Sequence, residues 1–412
     1  MASSVAPSRP KSPTHSRWML PVICAAAFLI FAQAFMVAPL IPRLAEALHT
    51  KVAWIGLAVP AYLVPYGVAM LVWGPLSDRF GRRTVILGSL LSFIVFTLGT
   101  AAATNIAEFL AWRIAAGVGA AGVVPIGLTL IGDVVPFQQR GRALGWLFGS
   151  IAGGTAAGAT VGALMEATIG WQGLFFAVAA LCAAVVGVAV TLRAIPKLPG
   201  SAAPPLSVIV RGYTALLSLS RGRRTYAYVL INAVVQSGVY SWLGVYLQRR
   251  FGLSETGIGL ALLGYGIPGL LFGPVIGRLA DRYGRSGIIP AGVTLTGLCA
   301  LLLAVPLPLI AVQAAVVALS LGFDLTQPLL AGIVTDLRGN RSQAVGLMAF
   351  TLFTGFGLGS LLFQAALTQG FTVALVLFGC AALAAAGIAV PLFHAERPRP
   401  ELFAIRNDSR SV

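Results

Sequence analysis

The chain has 412 residues, of which 58% are hydrophobic and only 10% charged, against roughly 25% charged in an ordinary soluble domain. That deficit excludes a water-soluble globule and fits a protein whose outer surface faces hydrocarbon. The net charge of +16 does not mark a nucleic-acid partner, because the basic residues lie in short gaps between apolar runs instead of forming one face.

Crossing about 30 Å of hydrocarbon takes roughly 20 apolar residues at 1.5 Å each. Applied along the chain, this ruler predicts an all-α membrane protein of twelve transmembrane helices. They fall at 18–40, 53–76, 84–103, 107–131, 143–167, 171–193, 225–248, 255–276, 287–305, 307–332, 342–367 and 371–393. The first run contains Ala32-Gln33-Ala34, which mimics a signal-peptidase site, but its apolar stretch continues to Leu40 and is too long for a cleavable peptide. A Ser/Pro-rich tail, 1–17, precedes it and reads as disordered. Six-helix bundles are expected over 18–193 and 225–393, with a cytoplasmic linker at 194–224 and a tail at 394–412. Within the linker, Leu206–Leu219 has the pattern of an interfacial amphipathic helix.

With both termini placed in the cytoplasm, nearly every Lys and Arg falls in a cytoplasmic loop or tail. Only Arg43, Lys51, Arg249 and Arg250 lie in the opposite loops, and Arg113 lies within a span. This is the bias that sets membrane orientation. The four cysteines (Cys24, Cys182, Cys299, Cys380) are scattered inside apolar segments, and none of the three histidines lies in an apolar run. No metal or cofactor site is expected from them.

The second half repeats the first at a constant offset. Gly56, Tyr62, Pro65, Gly74, Leu76, Asp78, Arg79, Gly81 and Arg82 recur as Gly259, Tyr265, Pro268, Gly277, Leu279, Asp281, Arg282, Gly284 and Arg285. Pro125 and Asp133 match Pro328 and Asp336; after a short gap, Gly145, Gly154 and Gly158 match Gly346, Gly355 and Gly359. Duplication of a six-helix unit accounts for this.

The stretch Gly74-Pro-Leu76-Ser-Asp78-Arg79-Phe-Gly81-Arg82-Arg83, with its weaker copy from Gly277 to Arg285, resembles the signature loop of the major facilitator superfamily. The resemblance covers nearly the whole chain and implies two pseudo-symmetric six-helix bundles working by alternating access. It also implies a conformational latch built from Gly74, Asp78, Arg79, Gly81 and Arg82, with Asp281 and Arg282 as its copy. The alternative for these residues is topological, basic side chains holding the loop inside. In helix 4, Arg113-Ile-Ala-Ala-Gly117-Val-Gly119 resembles the motif of the drug:proton antiporter branch, which implies a proton-coupling role for Arg113. Otherwise Arg113 would snorkel to the nearby interface, since an arginine in a span costs about 2.5–3.5 kcal/mol on insertion scales. Helix 5, from Gly149 to Gly158, is a fainter match: the branch pattern wants Pro at 154 and Gly at 157, where this chain has Gly154 and Ala157. Helix 1 carries Gln33 where many drug antiporters have an acid.

The superfamily places its cavity among helices 1, 4, 7 and 10. Independently, helix 7 sets Asn232, Gln236 and Tyr240 at i, i+4 and i+8, one polar stripe on an apolar helix. With Gln33 and Gln327 they form the candidate substrate site; inter-helical hydrogen bonding is the competing reading. Asp324 is the one acid well inside a predicted span and is the candidate proton site, with a fixed hydrogen-bond acceptor as its competitor. The expected function is proton-coupled efflux of small apolar or amphipathic compounds by a monomer in a bacterial-type inner membrane. The alternative is transport of a specific metabolite such as a sugar, nucleoside or organic acid. The chain shows no nucleotide-binding glycine loop or nucleophile elbow, so no enzyme is expected.

Overall fold

The computed structural model describes residues 17–135, 137–197, 206–269, 271–272, 275–276, 279, 284–338 and 341–396. The first half holds α1 (Met19–Phe35), α2 (Ile41–Ala47), α3 (Val52–Ile55), α4 (Ala58–Phe80), α5 (Arg82–Ala101), α6 (Ile106–Ala120), α7 (Val123–Val134) and α8 (Phe137–Thr191). After the linker helix α9 (Leu206–Ser218) come α10 (Ser220–Phe251), α11 (Glu255–Leu262), α12 (Arg285–Ala304), α13 (Leu309–Thr335), α14 (Arg341–Ala366) and α15 (Phe371–Leu392).

Among the described residues, nine helical spans are long and apolar enough to cross a bilayer. One of them, Gly145–Thr191, is two crossings joined at Gly170, whose φ of 69° only glycine adopts readily. The shorter α1 is the first crossing, and α11 begins the eighth. With these, the described helices agree with the twelve crossings expected.

Three predicted helices are broken, each at a proline. The run 18–40 ends as a helix at Phe35 and continues through a turn ahead of Pro39 and Pro42. The run 107–131 breaks between α6 and α7, because Pro125 offers no N–H and its ring collides with the carbonyl four residues back, that of Ala121. The run 255–276 unwinds over 263–266 ahead of Pro268. Helix α10 starts at Ser220, inside the stretch 194–224 expected as the linker, and at 32 residues it is longer than a crossing requires.

Equivalent glycines build the two halves. A methyl on Gly154 would overlap the Phe28 carbonyl oxygen, and one on Gly158 would come 2.6 Å from Ala32 Cα, so α8 lies directly on the α1 backbone. Their repeats, Gly355 and Gly359, seat α14 on α10 in the same way: methyls there would sit 2.8 Å from Ala233 Cβ and 2.9 Å from Val234 Cα. The Gly154 that departs from the antiporter pattern is thus a packing contact here.

The halves meet where α4 packs on α14 and where α8 packs on α11. At the end opposite the Gly81 connection, Gln364 Nε2 donates to the Ala53 carbonyl (2.6 Å), and the Trp242 indole lies so close to Gly56 that a methyl there would fall 2.5 Å from its ring. Gly357 faces Pro60 and Val64, and Gly67 faces Phe350 and Thr354. Toward the Gly81 end, methyls on Gly74, Gly145 or Gly149 would meet nothing within 4 Å. Among the described residues the seam is tight at the far end and loose at the near one.

Candidate functional site

Arg113 is fully buried on α6 and does not snorkel. Its Nε donates to the Ala58 carbonyl (3.0 Å), one terminal nitrogen to Gln33 Oε1 (2.9 Å) and to the Gln33 carbonyl (3.3 Å), and the other to the Ala34 carbonyl (3.2 Å). The helix break explains the arrangement. Because α1 stops at Phe35, the last carbonyls lack the N–H partners of a continuing helix, and a guanidinium with five donors can fill that gap. The cation also lies 4.5 Å from the Tyr62 ring centroid. Among the described residues no carboxylate pairs with it. Gly117, one turn further along α6, is required because a side chain would overlap the Tyr62 carbonyl oxygen.

From Tyr62 a path of ring contacts crosses between the halves. It runs through Tyr66, Phe353, Phe356, Phe35 and Tyr240 to Tyr265, with centroids 3.8 to 6.2 Å apart. The helix 7 stripe lies beside it. Gln236 Nε2 donates to the Tyr265 hydroxyl (2.8 Å), Tyr240 stacks on Tyr265, and Asn232 Nδ2 donates to Thr326 Oγ1 (2.5 Å). Among the described residues several buried polar atoms have no partner: Gln33 Nε2, Tyr66 Oη, Asn232 Oδ1, Gln236 Oε1, Tyr240 Oη, both side-chain amide atoms of Gln327, and Thr354 Oγ1. Such groups are costly to bury without a partner. A substrate with complementary polar groups would relieve that cost.

Asp324, half-buried on α13, lies apart from Arg113. Its Oδ2 accepts from Ser320 Oγ (3.3 Å), and the Gly269 N–H hydrogen-bonds to the carboxylate. Among the described residues it has no ion-pair partner.

At the near-end loop, Gly81 takes φ 83°, a conformation suited to glycine, and its repeat Gly284 takes φ 77°. Arg82 pairs with Asp133 at the end of α7, and Arg285 pairs with Asp336 (2.9 Å) just after α13. Each pair stays inside one half. Arg79 is exposed, its guanidinium 5.4 Å from the neighbouring Phe80 ring; Asp78 makes no ion pair among the described residues, and Gly74 is open. Asp281 and Arg282 lie outside the described residues.

Sequence reasoning missed Tyr66, Thr354, Thr326, Ser320 and the phenylalanines of the ring path. Tyr66 had a usable signal, one turn after Tyr62 on the same face. Among the described residues no group of three His, Cys, Asp or Glu could hold a metal ion.

Outside the spans, Arg43 donates Nε to Glu166 (3.0 Å), and that hydrogen bond raises the arginine's pKa. Burial is the largest single influence on the Glu396 carboxyl and pushes it up, but Arg221, which grips it with two nitrogens at 2.8 Å, and Arg224 together outweigh that. Its pKa ends below the usual range.

Two repeated six-helix halves, broken helices and a buried polar seam between them define a multi-pass membrane transporter. The profile of the Major Facilitator Superfamily matches residues 23–337 and 229–411, and the chain belongs to that superfamily. It is 29% identical over 347 residues to a chloramphenicol resistance protein of Streptomyces lividans, covering 82% of this chain and 86% of that one. It is 24% identical over 365 residues to multidrug resistance protein 1 of Bacillus subtilis (strain 168), covering 87% and 92%. Among solved structures, an inward-facing, unoccupied bacterial homologue of the human lysosomal transporter Spinster superposes with a TM-score of 0.74 at 16% identity. That match covers 95% of this chain and all of the other.

Proposed function

We propose that the chain exports small, largely apolar or amphipathic compounds in exchange for protons, as a monomer in a plasma membrane with both termini cytoplasmic. The observation that carries this reading is the ring path bordered by unpartnered amide and hydroxyl atoms. Rings supply adaptable apolar contact, and Gln33, Asn232, Gln236, Tyr240 and Gln327 supply hydrogen bonds to orient a ligand. Asp324 is the proton site in this reading, because it is an unpaired acid in a span. Arg113 holds the end of α1, the element whose Phe35 touches Tyr240. The names of the Streptomyces and Bacillus relatives support efflux over uptake. The Lys/Arg distribution supports the orientation.

The loop residues Gly74, Asp78, Arg79, Gly81 and Arg82 form the conformational latch of this proposal. Arg82 anchors the loop to Asp133, which leaves Asp78 and Arg79 to meet the opposite half when the near end closes; Asp281 and Arg282 are the corresponding pair.

The test is transport of a substrate panel, drugs beside sugars, nucleosides and organic acids, in reconstituted vesicles with and without an imposed pH gradient. Gradient-driven movement of amphipathic drugs is expected. Movement of metabolites alone would replace efflux with metabolite transport, and gradient-driven transport surviving Asp324→Asn would remove the proton role from that residue.

A further inference from the structure

The eighth crossing unwinds at 263–266, and two side chains of α13 close the gap. Gly266 takes φ 83°, so the turn depends on a glycine there. Its freed N–H donates to Ser320 Oγ at 3.0 Å; the Ser320 hydroxyl in turn donates to Asp324 Oδ2. The Gly269 N–H completes the set at the same carboxylate, which lies so near that a methyl on Gly269 would come 2.7 Å from Oδ1. In hydrocarbon a freed backbone N–H needs such a partner.

What the turn presents makes this more than a local repair. Tyr265 sits within it, stacked on Tyr240 at 3.8 Å and accepting the Gln236 amide. Gly266 abuts the other half, where a methyl would fall 2.7 Å from Ala156 Cβ on α8. One short turn therefore touches the acid, the polar stripe and the seam between the halves.

We propose that Ser320 and Asp324 form a charge-sensitive clasp on this turn, so that proton uptake by Asp324 releases Tyr265 and the α8 contact together. Ser320 is a positioning residue in this scheme, acting through the turn and not on the substrate. A carboxylate accepts from both the Ser320 hydroxyl and the Gly269 N–H. Adding a proton removes the negative charge that strengthens these bonds, and a neutral acceptor binds an N–H about half as strongly. Tyr265 is the titratable side chain of the turn that faces Asp324; no described Arg, Lys, His, Asp or Glu pairs with the carboxylate. Among the described residues, the neighbouring α10 contributes Asn232, Gln236 and Tyr240 here, none of them a carboxylate or a base.

The proposal rests on Asp324 being the proton site, and the experiment separates the two. Backbone hydrogen exchange across 259–272 is measured on the full-length protein in nanodiscs at several pH values, corrected for intrinsic exchange, together with drug binding and gradient-driven transport. In the wild type, the turn should exchange about tenfold faster, or more, once Asp324 is protonated. Asp324→Asn should show that fast exchange at every pH and a drug Kd that no longer depends on pH. Ser320→Ala should speed exchange at Gly266, weaken drug binding several-fold and keep a pH dependence, whereas Ser320→Thr should restore slow exchange. If Asp324→Asn abolishes gradient-driven transport while wild-type exchange in the turn stays constant with pH, the clasp is overturned and the proton site stands. If Asp324→Asn transports normally and the turn still responds to pH, the proton site itself is wrong and the clasp falls with it.

Discussion

Gly357 and Gly359 are neighbours on α14, yet the same methyl should do different things at each. At Gly359 it would overlap the Val234 carbonyl oxygen and come 2.9 Å from Val234 Cα, both within the second half. That contact belongs to the half itself and persists in every conformation of the transporter. At Gly357 the methyl would overlap Val64 Cγ2 and approach Val64 N at 3.4 Å and Pro60 Cα at 3.5 Å, all in the first half. In the proposed alternating-access cycle that contact is broken when the far end opens. Overpacking costs about 1–3 kcal/mol; at Gly357 this shifts the closed-to-open ratio by about 5- to 150-fold. Gly359→Ala should instead lower the melting temperature in detergent and reduce the folded yield. The assay places cysteines at Ala53 and Gln364, which touch across the closed end (2.6 Å between Gln364 Nε2 and the Ala53 carbonyl), after replacing the four native cysteines. Gly357→Ala should slow their joining by a short bifunctional thiol reagent while leaving the melting temperature near that of the parent. Unchanged joining in Gly357→Ala, or an equal loss of stability in both variants, would refute the assignment of these two faces.

Other expectations follow from the same contacts. Arg113→Lys keeps the charge but loses the fork that reaches Ala58, Gln33 and Ala34; with hydrogen bonds to a charged group worth about 1.5–3 kcal/mol each, stability and transport should both drop, the latter by tenfold or more. Gln236→Leu removes a buried, half-unpartnered amide, so melting should change little while drug Kd rises about 5- to 30-fold; a large loss of stability with unchanged binding would make Gln236 purely structural. Glu396 has its pKa lowered in the fold, so its clasp by Arg221 and Arg224 stabilises above the unfolded carboxyl pKa and is lost as pH falls through the folded value. The gap in melting temperature between wild type and Glu396→Gln should therefore be widest near neutrality and close in acid.

The architecture was readable because hydrocarbon imposes a simple rule, and the duplication could be checked through charged loops. The prolines that break three crossings were visible too, but not what satisfies the backbone they free. That depends on the neighbouring helix: Arg113 for the end of α1, Ser320 and Asp324 for the turn at 263–266, and Ser89, whose hydroxyl accepts the Gly122 N–H at 3.2 Å, for the break after α6. The ring path stayed hidden for a related reason. In lipid, Phe353 on the seam and Phe176 on the outer surface have the same composition signal, and only packing tells them apart. The pairs Arg82–Asp133 and Arg285–Asp336 were legible in principle, since both partners recur at one offset. Taken alone the loop arginines fit latch or topology equally, and the chain's own repeat is the clue that they pair within each half.

The broken crossings also bear on how the halves could be coupled. A continuous helix passes force along its axis but offers no free backbone group along its length. Each break frees carbonyls or N–H groups at depth, and here they are taken up by polar side chains from adjacent helices of the same half. The Arg113 break lies next to Phe35 and the Asp324 break contains Tyr265, and both residues contact Tyr240. A ligand that pushed Tyr240 aside would thus strain both breaks at once, one held by a cation and the other by an anion. In the proposed cycle the anion, Asp324, is the group that takes up the proton, so the second half is the one that would yield, with the first as its fixed abutment.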